Sequence, residues 1–270
     1  MRKKILFLGC GKLGTSIVNN LLKNNHVTTD DLTIIKPSSN NLIPNLKYFQ
    51  KHQQLPQDYQ ADIVFICIKP QNAKTILSDF ALAKIFNSNT VFISVLAGKK
   101  IDFLSNFFSN NAQIIRTMPN IGVTIGKTIM PYFCSNVSDT NLSYIQTLFN
   151  SFGDSFIIDN EDDFHHFTAL YGCGPALVFL LQEILFQIAI DHNINDSLAR
   201  KLTSQLLLSS ALLANNSDLN FSDLRLQVTS KKGVTEALLK NLIKNNKLKK
   251  LLNKAIDNAI KKSQKLAKNV

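Results

Sequence analysis

Two stretches of this 270-residue chain carry residues whose types and spacing can do chemistry. The first is ILFLGCGKLGTSIVNNLL, an apolar run followed by Gly9, Gly11 and Gly14 in the pattern Gly-x-Gly-x-x-Gly and then by a helical pattern. Gly9 permits a tight turn, Gly11 lets a pyrophosphate approach the backbone, and Gly14 lets a helix pack closely on a strand. With Lys12 and Leu13 between them, these glycines open a helix whose free N–H groups and partial positive charge suit phosphates. The second stretch is LQVTSKKGVTEALL, residues 226–239, where Thr229, Ser230, Lys231, Lys232 and Gly233 interrupt two apolar helical patterns. A surface turn explains it, and so does a site that grips an anion.

The cofactor's sugar can be read from IIKPSSNN. At this point an NAD enzyme carries Asp or Glu for the ribose 2′-hydroxyl. Lys36, Ser38 and Ser39 repel nothing and suit a 2′-phosphate, so NADPH is expected and NADH stays open; a Lys36 that points into solvent is the alternative. His165 and His166 are adjacent, so they point to different sides of a helix, and no further ligand stands near them; a metal site is not expected. Cys10, Cys67, Cys134 and Cys173 are scattered without a Cys-x-x-Cys pair, which argues against disulfides and zinc and for a reducing cytoplasm.

These residues need elements to hold them. ILFLG, LTIIK, DIVFICI, TVFISVL and QIIRTM are short apolar runs bounded by turn residues, with helical patterns such as LGTSIVNNLLKN and NAKTILSDFALAKIF between several of them. That alternation predicts an α/β fold with a doubly wound parallel sheet covered on both faces. KTIMPYFC and SFIID are expected to close this Rossmann-type domain at residue 160. Residues 161–270 read as all-α, with GPALVFLLQEILFQIAI, SLARKLTSQLLLSSALLANN and a lysine-rich amphipathic tail, and with Pro175 at a helix start. The first of these helices is apolar nearly all round, broken only by Gln182, Glu183 and Gln187, and a helix of that kind is buried on most sides. About 110 residues of helix would struggle to bury it alone, so the domain is expected to pack on a second copy.

The formal net charge of +11 points to anionic partners. Much of it sits in the tail at helical spacing without interleaved aromatics, which reads as a solvated helix face and not as a nucleic-acid site. No unbroken apolar run reaches the roughly 18 residues of a membrane span. The basic start MRKKILFLGCG ends its apolar run in glycines and is read as a first strand.

Later motifs extend the pattern. CIKPQN, SVLAG and RTMPNIGVTIG follow successive strands, and FTALYGCGPALVF and LRLQVTSKKGVTEAL come after them. In this order and spacing the chain resembles the pyrroline-5-carboxylate reductase family over essentially its whole length. The resemblance implies a Rossmann-type domain, an all-α C-terminal dimerisation domain, and active sites where the cofactor of one subunit meets helices partly contributed by its neighbour, in a homodimer or a higher assembly. It implies hydride transfer from NAD(P)H to the imine of 1-pyrroline-5-carboxylate, giving L-proline. Lys69, Pro70, Ala97, Gly98, Met118, Pro119 and Asn120 match the cofactor-lining positions. Thr235 matches the threonine that contacts the imine nitrogen, with helix capping as its alternative. Ser230, Gly233 and Val234 match the carboxylate site, the last two through free N–H groups at a helix start.

The family usually has VTSPGGTT where this chain has VTSKKGVT, so Lys231 replaces a proline and Lys232 a glycine. SGSGPAY reads YGCGPAL here: Tyr171 and Cys173 replace serines, and Leu177 replaces a tyrosine. Tyr171 is large enough to narrow a pocket, and Cys173 is read as a small packing residue. These departures keep open a diverged NADPH-dependent imine or oxo-acid reductase for another small anionic substrate; a third reading, a non-catalytic NADP-binding dimer, is opposed by the intact Gly9, Gly11 and Gly14 and the retained Gly233 and Thr235.

Overall fold

The computed structural model describes residues 3–37 and 43–268; Ser38 and Ser39 lie outside the described residues. The chain divides into two compact units, one formed by 1–173 with the tail from Ala259 onward and the other by Gly174–Asn258.

The first unit is built on β1 (Ile5–Leu8), α1 (Lys12–Lys23), β2 (Leu32–Ile35), β3 (Lys47–Phe49), β4 (Ile63–Ile66), α2 (Ala73–Phe80), β5 (Val91–Ser94), α3 (Ile101–Ser105), β6 (Gln113–Thr117), β7 (Thr128–Ser135), α4 (Asp139–Asn150), β8 (Gly153–Ile157) and α5 (Phe164–Phe167). The strands form an eight-stranded sheet in the order β3-β2-β1-β4-β5-β6-β7-β8. Neighbours are parallel except β6 and β7, which run antiparallel. In β1, β2, β4, β5 and β6 every residue is buried. That is why these segments read as continuous apolar runs, since both faces of the sheet are covered.

Alternate side chains serve opposite cores. Ile5, Phe7, Phe65, Ile93 and Ile115 pack with Ile17, Val18 and Leu21 of α1 and with Ile145, Leu148 and Phe149 of α4. Leu6, Leu8, Val64, Ile66, Phe92 and Ile114 pack with Leu77 and Phe80 of α2 and with Phe103 and Leu104 of α3. Helix α2 ends at Phe80, short of the pattern read through Phe86; Ala81, Leu82 and Ala83 close turns back onto Leu77, Asp79 and Phe80. Strand β3 is short, with an exposed Lys47, and gave no apolar run to read.

The expected boundary at residue 160 lies upstream of the observed division. Arg116, only 1% exposed on β6, pairs with Glu161 at 2.9 Å, and the same carboxylate oxygen accepts the Ile101 amide at 2.8 Å. Phe164 is fully buried beneath the Arg116 guanidinium, 4.4 Å from its ring centroid. The tail returns to the same unit, where Ser263 Oγ and His165 Nδ1 are 2.9 Å apart, both buried.

The second unit holds α6 (Gly174–Asp191), α7 (Asp196–Asn215), α8 (Phe221–Gln227), α9 (Val234–Ile243) and the start of α10 (Lys247–Lys268). Asn195 and Asn220 cap α7 and α8, accepting the amides of Leu198 and Asp223 at 3.0 Å each, as short polar side chains do at helix starts. Gln182 meets Ser204 and Phe186 meets Arg200, so α6 and α7 run antiparallel. Not one residue of α6 is buried within the single chain. The stretch Glu161–Asp191 is also long and apolar enough to cross a membrane by length and composition. Its apolar character is interrupted by Gln182, Glu183 and Gln187, so no unbroken apolar run of that length occurs in it.

Candidate active site

The glycine loop leaves the C-terminal end of β1, where open α/β sheets bind ligands. Gly9 has φ +81, and a Cβ there would stand 2.7 Å from Ile68 Cγ2 and 2.9 Å from the Cys67 carbonyl oxygen. Its amide donates to Ile35 at 2.8 Å, which locks the loop to β2. Gly11 caps α1 without any side-chain hydrogen bond, and a Cβ on it would meet no atom within 4 Å. The first turn of α1, Lys12 to Gly14, thus begins beside open space. A cleft of about 390 Å³ borders this loop, lined among others by Gly9, Ile35, Pro37, Ile68 and Ile76. A larger cavity of about 760 Å³, lined by residues such as Lys99, Lys100, His165 and Gln264, lies away from the glycines, so size alone does not mark the site.

Lys36 follows β2 and is buried, with its ammonium 5.0 Å from the Tyr48 ring centroid. It does not point into solvent, and its charge favours the Cys10 thiolate. Burial nevertheless pushes the Cys10 thiol up, against the Thr15 hydroxyl and Lys36, and pushes the Cys67 thiol up as well. Protonated thiols at these positions act as packing groups and not as nucleophiles.

Lys69 is exposed and precedes a turn, Pro70–Asn72, that Pro70 starts. Ala97 is half-buried, and Gly98 has φ +75. Met118 and Pro119 are buried at the end of β6. The Asn120 side chain is held inside the unit by three bonds: Oδ1 accepts Gly122 N–H at 2.8 Å and Thr128 Oγ1–H at 3.1 Å, while Nδ2 donates to the Tyr171 carbonyl at 3.2 Å. Pro175, four residues after Tyr171, has no N–H to give that carbonyl, which is why it is available to Asn120. The Tyr171 hydroxyl accepts the Ile129 amide of β7 at 2.6 Å. Tyr171 thereby braces β7 beyond the stretch that pairs with β6. Cys173, expected to pack, is exposed in the single chain.

Sequence reasoning missed the two polar groups on α1 that anchor the segment after β6. Asn20 Nδ2 donates to the Val123 carbonyl at 3.0 Å, and Thr124 Oγ1 donates to Ser16 Oγ at 2.9 Å. Buried Asn and Ser on an otherwise apolar helix face were the available signal.

In the second unit, Gly233 caps α9 with no side-chain hydrogen bond. The expected free amide on Gly233 is corrected: it donates to the Ser230 carbonyl at 3.0 Å, closing a turn. A Cβ on Gly233 would collide with Ser230 Oγ. Val234 is 89% exposed and Thr235 half-buried in the first turn of α9. Lys232 has φ +60, so the position where the family carries glycine keeps a glycine's conformation. In the left-handed region a lysine costs about 1–2 kcal/mol. Lys232, Gly233 and Thr229 border a cleft of about 710 Å³.

A family model for the pyrroline-5-carboxylate reductase dimerisation domain matches residues 161–266, and one described as NADP oxidoreductase, coenzyme F420-dependent, matches residues 4–98. A pyrroline-5-carboxylate reductase of Staphylococcus haemolyticus is 25% identical over 273 residues, covering 98% of each chain. Residues 161–266 thus carry the reductase dimerisation domain, and the chain as a whole is similar to pyrroline-5-carboxylate reductases. Solved reductases of that family share its fold from end to end. The Plasmodium falciparum pyrroline carboxylate reductase with NADP bound has a TM-score of 0.88 at 27% identity, covering 98% of both chains. The 1-pyrroline-5-carboxylate reductase of Streptococcus pyogenes has a TM-score of 0.83 at 29% identity, covering 97% of this chain and 98% of its own. The exposed apolar helix α6 lies within the reductase dimerisation domain.

Proposed function

We propose that the protein is an NAD(P)H-dependent reductase of proline biosynthesis that converts 1-pyrroline-5-carboxylate to L-proline. The observation that carries this reading is the match of residues 161–266 to the reductase dimerisation domain, joined to end-to-end likeness to reductases. Residues 1–160 hold the cofactor and 161–270 the substrate and the partner copy. The open space at Gly11 and the uncapped start of α1 fit a pyrophosphate. The amides of Gly11, Lys12, Leu13 and Gly14 surround it above the turn that Gly9 makes, Lys36 and Ser38 take the 2′-phosphate, and NADPH is preferred to NADH. Lys69, Pro70, Ala97, Gly98, Met118, Pro119 and Asn120 line the ribose and nicotinamide.

When bound, the reduced nicotinamide supplies the hydride for the imine carbon. Ser230 and the first-turn amides of α9 that follow Gly233, beginning with Val234, hold the substrate carboxylate; hydrogen bonds to a charged group contribute roughly 1.5–3 kcal/mol each. Thr235 holds the ring nitrogen and passes it a proton. A homodimer covers the apolar faces of the helical unit, and neither nucleic acid nor a membrane takes part. Free thiols at all four cysteines suit a reducing cytoplasm.

The Lys231–Lys232 pair favours one second reading, a reductase of the same kind for another small anionic imine. Purified protein mixed with NADPH and 1-pyrroline-5-carboxylate is expected to consume the nicotinamide absorbance. Cofactor binding without turnover removes the first reading and leaves the second. Thr235→Ala is expected to lower kcat by about tenfold or more while NADPH affinity stays the same; an unaffected rate removes Thr235 from the site.

A further inference from the structure

We infer that Glu236 is a positioning residue that fastens the substrate loop by holding Lys232 in the left-handed backbone conformation. The inference rests on reading residues 229–235 as the substrate loop. Lys232 stands at φ +60, where a Cβ crowds the following carbonyl and glycine is the ordinary occupant. Its amide donates to a Glu236 carboxylate oxygen at 2.6 Å, short as charge-assisted bonds are.

In the usual capping box the acid at the third helical position returns to the amide of the cap residue. Here the cap is Gly233, and its amide is already given to the Ser230 carbonyl at 3.0 Å. Glu236 therefore takes the amide one residue earlier. The two bonds interlock. Gly233 has no room for a Cβ because Ser230 Oγ fills that space, so the seat of Ser230 and the φ of Lys232 are set together.

Charge supports the same assignment. A carboxylate has the wrong sign to contact an anionic substrate, and Glu236 borders the same cleft as Thr229, Lys232 and Gly233. Its use at this place is the bond to Lys232. This chain thus obtains with a lysine and a carboxylate the loop that a glycine obtains unaided.

The test is a double-variant cycle on the full chain with 1-pyrroline-5-carboxylate and NADPH. Glu236→Ala is expected to raise KM for the imine by about fivefold with KM for NADPH unchanged. Glu236→Gln, which keeps an acceptor oxygen, is expected to restore most of the difference. Made on a Lys232→Gly background, Glu236→Ala is expected to change KM by less than about twofold. An equal effect in both backgrounds, a parallel rise in both KM values, or no effect overturns the inference. Hydrogen exchange of the amides of residues 229–236 reads the loop without turnover. It is expected to quicken in Glu236→Ala and to slow again in Lys232→Gly/Glu236→Ala. If the unmodified protein does not reduce the imine, the proposed substrate fails while exchange still decides the loop; unchanged exchange in Glu236→Ala overturns the loop proposal itself.

Discussion

Gly9 and Gly11 are both glycine for reasons the fold makes distinct. Gly9 carries a positive φ and has backbone and side-chain atoms where a Cβ would go, whereas Gly11 has neither. Gly9→Ala is therefore expected to lower the thermal midpoint and NADPH affinity together. Gly11→Ala is expected to leave the midpoint within about 1 °C, because nothing in the protein opposes the methyl, and to weaken NADPH binding by at least about tenfold because the methyl stands in the pyrophosphate's place. Thermal melts and cofactor titrations of the two variants check this; a Gly11→Ala protein that binds NADPH normally contradicts it. At Lys232 the magnitudes nearly cancel. A left-handed lysine costs about 1–2 kcal/mol, and a hydrogen bond to a charged group returns about as much before solvent exposure reduces it. The two hydroxyls and the glycine of this loop were legible in the sequence, but the fastener Glu236 was not, because nothing local marks a helix-start acid as the partner of the residue before the cap.

The elements were legible where burial imposes a period. Strands β1, β2, β4, β5 and β6 are covered on both faces and announce themselves as apolar runs, while β3 at the sheet edge does not. Helix α10 follows its amphipathic pattern, but the pattern does not say which unit its end joins. That end is held by Ser263 against His165, whose pKa burial lowers from 6.5, helped by Arg116, Lys100 and His166 and opposed by Asp162. The unfolded chain takes up a proton as pH falls through about 6.5, and the folded chain resists it, so His165 subtracts stability toward acid and contributes no pH dependence well above that value. Thermal midpoints measured at about pH 7.5 and about pH 5.5 are expected to fall less in His165→Asn than in the unmodified protein. An identical fall in both removes His165 as a source of acid sensitivity.

At the scale of the whole molecule, the helical unit leaves Val178, Phe179, Leu180, Leu181, Ile184 and Ile188 of α6 each about half exposed. A soluble single chain does not leave so large a contiguous apolar surface uncovered. Sizing chromatography with light scattering is expected to give a dimer or a multiple of one, with no monomer down to micromolar protein. A stable monomer contradicts the proposed covering of α6. The sequence foretold this need for a partner, since an all-round apolar helix cannot be served by about 110 residues.

By itself the sequence determined the strands, the glycine loop, the order of motifs and the unpartnered helix, because each depends on spacing between near neighbours. The tertiary structure decided what depends on residues far apart in the chain. It brought Glu161 to Arg116 across 45 residues and Ser263 to His165 across 98, and so carried the first unit past the expected boundary. It tied the Tyr171 hydroxyl to β7 and the Asn120 side chain to Gly122, Thr128 and the Tyr171 carbonyl. Even the Gly233 amide, three residues from its acceptor, was settled only once the turn was formed, because whether an amide is free depends on the conformation reached and not on residue type.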